Sequence, residues 1–371
     1  MIPRTAFYSD ERCFWHAGGS YALTAPVGGL VQPLAAGGLP ESPETKRRLK
    51  NLLAVTGLLA ELDHRTAPPA SEEDLRRVHD AAYLAEFKRL SDGGGGELGQ
   101  RTPFGPGGYE IATLSAGLAK AALFSVLSGE HRNAYALSRP PGHHCLPDTP
   151  MGFCLLANLA IAIEAALAEK RASRIAVIDW DVHHGNGTEA IFLECGEVLA
   201  ISLHQENNYP WDTGGAEERG RGAGVGANLN VPLPPGGGHA LYLDAMERIV
   251  LPAIRAFRPD AIVVACGFDA SGVDPLSRML CSAETFRLMT RQVMALADEI
   301  CAGKVMMAHE GGYSEAHVPF CGHAVLQEMS GSTIDAGDAL GPRIAAQQPT
   351  EKLQAAHRAF VDDLVAFLAE G

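Results

Sequence analysis

One α/β domain spanning residues 1–371, with a mainly parallel central sheet and helices on both faces, is the fold the sequence predicts. Three observations carry this reading. The 371 residues are 46% apolar, enough for a large core. Short β-branched runs alternate with segments whose apolar residues recur at spacings of three and four, the signature of βαβ units. No internal repeat or long low-complexity linker divides the chain.

The elements follow in order. Helical periodicity marks 44–60, 71–90 and 109–128, and the strand NAYALS (133–138) comes next. A helix at 155–170 leads into the strand RIAVID (174–179), and VLAISLH (198–204) is the third strand. A helix at 239–257, the strand AIVVACG (261–267), a helix at 282–301, the strand KVMMAHEGG (304–312) and a helix at 351–369 complete the series. The glycine-rich pieces DGGGGELG (92–99) and PLPPGGGHA (232–240) read as surface loops.

Formal net charge is −14, with no basic block or Lys/Arg stripe, which disfavours a nucleic-acid interface or an anionic membrane surface. The N-terminal MIPRTAFYSDERCFWH has no apolar signal core, and the apolar run from Leu155 to Ala168 is broken by Asn158 and Glu164. Eight cysteines without a CxxC fit reduced, packed thiols in a cytosol. A cytoplasmic protein with no membrane segment is therefore expected.

Each strand ends in unusual chemistry. NAYALS runs into RPPGHH, RIAVI into DWDVHHGNG, VLAISL into HQENNY, AIVVACG into Phe268-Asp269, and KVMMA into HEGGY. Parallel α/β sheets bind ligands at the carboxyl ends of their strands, so one shared pocket is a more economical reading than five separate polar turns.

In extended backbone, residues i and i+2 face the same side, so Asp179, Asp181 and His183 can converge. A lone Asp-x-His is more often a satisfied core pair than a ligand set. Asp269, isolated at the end of an apolar strand, raises the odds, because a buried carboxylate needs a cation. Two carboxylates and one imidazole leave a divalent metal open to water and substrate, the pattern of catalytic zinc, and the cysteines form no structural zinc pair. His143 and His144 are adjacent candidates for proton transfer, with Asp179 and Asn186 as partners that would tune two imidazoles apart. Tyr313 follows the flexible Gly311-Gly312 turn, where its phenol could donate to an oxyanion rather than merely pack.

These motifs, RPPGHH (139–144), GFC (152–154), DWDVHHGNGT (179–188), SLH (202–204), GFDA (267–270) and HEGGYS (309–314), resemble in kind and order the histone deacetylase and acetylpolyamine amidohydrolase family, which has an arginase-type α/β fold. The Glu-Gly-Gly-Tyr form and Asn186 are similar to its class II branch and to bacterial histone-deacetylase-like amidohydrolases. The resemblance implies zinc on Asp181, His183 and Asp269, His143 paired with Asp179, and His144, paired with Asn186, as general base and acid. Tyr313 would polarise the carbonyl of an acetylated amine, and Gly311 and Gly312 would belong to the substrate site. It also implies a structural potassium or sodium ion on Asp179, Asp181, His183, Ser202 and Leu203, and a second lined by Phe192, Cys195 and Val198, where Ala227 replaces a common aromatic ligand. Phe153 and Tyr209 would wall the channel, the Gly152 carbonyl would accept the substrate amide, and Leu276 would stand where spermidine-specific relatives carry an acid. A homo-oligomer, dimer or tetramer, is implied. The rival enzyme is an arginase-like binuclear manganese hydrolase, disfavoured by the D-x-D-x-H order; the rival outside enzymology is a catalytically idle acyl-ligand binding protein.

Overall fold

The computed structural model describes residues 5–19, 21–26 and 38–369. In chain order its main elements are β1 (Ala6–Tyr8), α1 (Pro43–Thr56), β2 (Asp63–Arg65), α2 (Glu72–Arg76), α3 (Ala81–Asp92), α4 (Gly108–Leu127), β3 (Asn133–Ala136), α5 (Asn158–Ala168) and β4 (Ile175–Asp179). There follow α6 (Asn186–Phe192), β5 (Val198–Gln205), β6 (Asn228–Leu233), α7 (His239–Ala245), α8 (Leu251–Phe257), β7 (Ala261–Cys266), α9 (Ala283–Ile300), β8 (Val305–His309), α10 (Val318–Ser330), α11 (Gly341–Ala346) and α12 (Glu351–Ala369). The strands form one sheet in the order β6-β5-β4-β7-β8-β3-β1-β2, and every neighbouring pair is parallel.

Period-two alternation sends each strand's side chains to two apolar layers. Ala176 and Ile178, with Ile262, Val264, Val305 and Met307, pack beneath α1, α7 to α10 and α12. Ile175 and Val177, with Val263, Ala265, Met306 and Ala308, pack beneath α3 to α5. Burial on both faces explains why the central strands read as unbroken apolar runs. The 20-residue α4 is long and apolar enough to cross a membrane, more so than the 155–168 run; 72% of its apolar window is buried within the fold.

The register sets the site. Asp179 pairs with Ser202 and Ala265, Cys266 with His309, and Ala308 with Ala136. The strand ends are therefore level, and the polar segments emerge together at one edge.

Three sequence expectations are corrected by packing. The 71–90 segment is two helices, because buried His79 bonds the Pro147 carbonyl (3.1 Å) and the Ala157 N–H (3.0 Å), holding the chain between α2 and α3. The 44–60 helix stops at Thr56, where Gly57 adopts φ +90 and caps it. Strand β6 is absent from the sequence reading because Asn228 and Asn230 break its apolar pattern; their amides bond Glu189 (2.8 and 2.7 Å), and Pro232 is tolerated on an edge strand.

Candidate metal centre and active site

Beyond β4 the alternation continues. Trp180 and Val182 sink into the apolar layer, while Asp179, Asp181 and His183 turn toward the sheet edge. Beyond β7, Asp269 is fixed by the Val182 N–H donating to its Oδ1 (2.8 Å). Donor atoms of Asp181, His183 and Asp269 lie within 4.8 Å of one another, all buried. The His183 Nδ1 stands 3.0 Å from Asp181 Oδ1 and 3.1 Å from Asp269 Oδ2. Burial, together with the neighbouring Asp181 charge, pushes the Asp269 carboxyl up to about 6. Two buried carboxylates facing one imidazole nitrogen need a cation between them, and this donor set fits a divalent metal with open positions. Two glycines make the room: a Cβ on Gly267 would lie 2.3 Å from Asp181 Oδ2, and one on Gly311 would lie 2.2 Å from Asp269 Oδ2.

The histidine pair follows β3. His143 Nδ1 meets Asp179 Oδ2 at 2.9 Å, and His144 Nδ1 meets Asn186 Oδ1 at 2.8 Å. Burial opposes charge on both. On His143 the Asp181 and Asp179 carboxylates outweigh it, lifting the imidazole to about 10; on His144 burial and the charge of His143 hold it well below 6.5. An amide oxygen can only accept, so Asn186 fixes the proton on Nδ1 of His144 and leaves Nε2 as a base.

Tyr313 is buried, its ring 5.7 Å from Phe153 and 6.3 Å from His183. Burial first, then nearby carboxylates, raises its phenol well above 10, so it stays a neutral donor. A cavity of about 220 Å³ opens above these groups. His144, His183 and Tyr313 form its floor; Gly152, Phe153, Tyr209 and Leu276 its walls; Thr24, Arg101, Asn208 and Trp211 its mouth. Gly311 and Gly312 lie outside that lining. The Gly311 N–H donates to Asp181 Oδ2 (2.8 Å), and Gly312 packs against Phe268 and Val318.

Asp179 Oδ1 accepts the Asp181 N–H (3.1 Å), and beside it Ser202 Oγ accepts the Gly185 N–H (3.2 Å), with Leu203 buried next in β5. Phe192 ends α6, its carbonyl taken by the Cys195 N–H (2.9 Å), and Val198 opens β5.

Sequence reasoning assigned no part to three residues that hold the site. Glu310 Oε2 accepts the N–H groups of Gly142 (2.6 Å) and His143 (3.2 Å), and burial lifts its carboxyl to about 7. Asp274 joins the N–H groups of Tyr313 (2.7 Å) and Leu276 (2.9 Å). Gln100 accepts the Tyr209 hydroxyl (2.8 Å). Glu310 was visible as the acid of HEGGY, and Asp274 as a carboxylate two residues before Leu276; nothing local marks Gln100.

Residues 39–329 match the histone deacetylase domain. The chain belongs to the histone deacetylase family. It is 59% identical over 366 residues to a histone deacetylase-like amidohydrolase of Pseudomonas aeruginosa, covering 99% of this chain and 96% of that one. It is also 37% identical over 298 residues to histone deacetylase 8 of Arabidopsis thaliana, covering 78% and 79%. The crystal structure of the HDA15 HD domain shares its fold, with a TM-score of 0.80 and 32% identity over 93% of this chain and 98% of that one. The histone deacetylase fold places this chain among hydrolases of the deacetylase and amidohydrolase class.

Proposed function

We propose that this chain, acting as one catalytic domain, is a zinc-dependent hydrolase that removes acetyl or related acyl groups from acetylated amines such as acetyllysine. The observation that carries the reading is the convergence of Asp181, His183 and Asp269 beside a cavity walled by Phe153, Tyr209 and Leu276, whose floor also presents His144 and Tyr313.

Asp181, His183 and Asp269 would hold the metal. Zinc bound there supplies Lewis acidity to a carbonyl oxygen and makes water acidic enough to attack near neutral pH. Phe153, Tyr209 and Leu276 receive the linear aliphatic chain and exclude bulk solvent. His144, neutral and with Nε2 unprotonated, takes the proton of the attacking water and returns it to the departing amine. His143, kept charged by Asp179, offsets negative charge beneath the reacting carbonyl. Tyr313 donates its O–H to the tetrahedral oxyanion.

A monovalent cation at Asp179, Asp181, His183, Ser202 and Leu203, potassium or sodium, would support the segment from beneath. The second site, at Phe192, Cys195 and Val198, is proposed on the resemblance alone. A cytoplasmic location fits eight free cysteines, seven of them buried.

The test is a turnover panel of acetyllysine, acetylputrescine, acetylspermidine and trifluoroacetyl-lysine substrates with the zinc-loaded protein, alongside metal analysis. One zinc per chain and hydrolysis of at least one member support the reading. Hydrolysis of none, or two divalent metals per chain, overturns it.

A further inference from the structure

The mouth of the cavity carries one charged side chain, which the hydrolytic reading does not use. Arg101 is the one Lys or Arg among the eleven lining residues, and none of the eleven is acidic. Its guanidinium carbon lies 5.4 Å from the centre of the Tyr209 ring, which is 5.0 Å from the His144 ring and 6.2 Å from the His183 ring. The charge is thus within a lysine side chain's reach of the floor.

Among the described residues no carboxylate comes within 4 Å of Arg101. Glu97, on the same loop, is engaged elsewhere: its Oε1 accepts the Tyr21 hydroxyl (2.8 Å) and the Thr102 N–H (3.2 Å). An unpaired guanidinium is notable in a chain of net charge −14, whose long-range field repels anions.

The position is also built. The Gln100 carbonyl accepts the Gly152 N–H (3.0 Å), the Arg101 carbonyl accepts the Phe153 N–H (3.1 Å), and the Gln100 side chain accepts the Tyr209 hydroxyl. Arg101 is thereby braced against both walls, in a left-handed conformation (φ +58) that a non-glycine residue adopts only when its surroundings impose it.

We infer that Arg101 makes the channel mouth a carboxylate-binding subsite, so that the preferred substrates are acylated amines carrying a carboxylate at the far end of the chain, such as Nε-acetyllysine with a free α-carboxylate, alone or at a peptide's C-terminus. This rests on the hydrolytic reading above and adds the substrate class. A guanidinium binds a carboxylate through paired, charge-assisted hydrogen bonds, whereas an acetylated polyamine would bring a second cation against Arg101.

The experiment compares three acetamides on a four-carbon chain: Nα,Nε-diacetyllysine, its neutral carboxamide, and N-acetylputrescine. For the zinc-loaded protein, kcat/KM is expected to favour the carboxylate over the carboxamide about tenfold, with a preference that shrinks as salt is raised. Arg101→Gln is expected to bring that ratio to about one, the carboxylate losing several-fold more than the carboxamide; Arg101→Lys retains part of it, and Arg101→Glu reverses the order in favour of N-acetylputrescine. A wild-type ratio within twofold of one, or a preference surviving in Arg101→Gln, overturns the inference. So does an equal loss on all three substrates in Arg101→Gln, which would make Arg101 a brace for Tyr209. If the wild-type protein hydrolyses none of the three, the substrate panel above decides the hydrolytic reading, and calorimetric affinities for the carboxylate and carboxamide decide the subsite by the same ratio.

Discussion

A single methyl group at Gly311 tests the proposed metal centre more sharply than deletion of a ligand. A Cβ built there lies 2.2 Å from Asp269 Oδ2, 2.6 Å from Asp181 Oδ2 and 2.9 Å from the Tyr313 hydroxyl, whereas ordinary contact begins at 3.4 Å. The Asp269 oxygen must therefore withdraw by about 1.2 Å. It has little room, since Asp269 is fully buried and its other oxygen is held by the Val182 N–H at 2.8 Å. Overpacking of this kind costs roughly 1–3 kcal/mol. Disturbing a ligand's support costs roughly 10- to 100-fold in metal affinity, and a displacement near 1 Å costs on the order of 100-fold in rate. Gly311→Ala is thus expected to fold with a lowered melting temperature, to bind zinc on the order of 10- to 100-fold more weakly in competition with a chelator, and to lose about 100-fold in kcat at saturating zinc. The neighbouring Gly312→Ala serves as contrast. At φ +121 its cost is backbone strain, and its Cβ would meet Phe268 and Val318 rather than a ligand, so zinc affinity should survive better than stability. Zinc affinity and kcat within threefold of wild type in Gly311→Ala would refute the placement of both carboxylates around one ion.

Three further outcomes are expected. Tyr313→Phe should lower kcat by roughly 10²–10³ with KM nearly unchanged, because the lost donor acts on the transition state; an unchanged kcat would make the phenol mere packing. Asp269→Ala should lose zinc while the far-ultraviolet circular dichroism persists, since the carboxylate supports no strand pairing; full zinc occupancy would remove it from the ligand set. His16 and His79 should weaken the fold as pH falls below 6.5, opposed by the raised Glu310 and Asp269 carboxyls, which the folded chain protonates first. Burial foremost depresses His16 to about 3 and His79 to about 4 in the folded chain, against 6.5 unfolded. The unfolded chain therefore takes up protons first, and each histidine removes about 1.4 kcal/mol per pH unit as pH falls from 6.5 toward 4. Thermal melts between pH 7.5 and 4.5 of wild type and His79→Gln check this: the variant should lose less stability toward acid than wild type, and an identical pH dependence in the two would contradict it.

Much of this protein was legible locally. The central strands are apolar on both faces, so β3, β4, β5, β7 and β8 stand out as continuous runs, and the polar residues at their ends are conspicuous because such groups are costly to bury without a partner. Asp181, His183 and Asp269 could be grouped on that ground, and the structure brings them together. The short strands were illegible: β2, at one edge, is the polar tripeptide DHR, and β1 beside it is three residues long.

The sequence by itself determined the alternation of strands and helices, the chemical kind of each strand end, and the scarcity of basic side chains, because these depend on residue type and spacing along one chain. Tertiary structure alone decided the strand order and register that level five distant segments, the glycines at 267 and 311 that admit the Asp181 and Asp269 carboxylates, and the position of Arg101 beside Tyr209. The division follows from range. Periodicity and propensity act over a few residues, whereas a metal's donor set and the charge at a channel mouth are defined by groups tens or more residues apart, brought together only when the sheet closes its core.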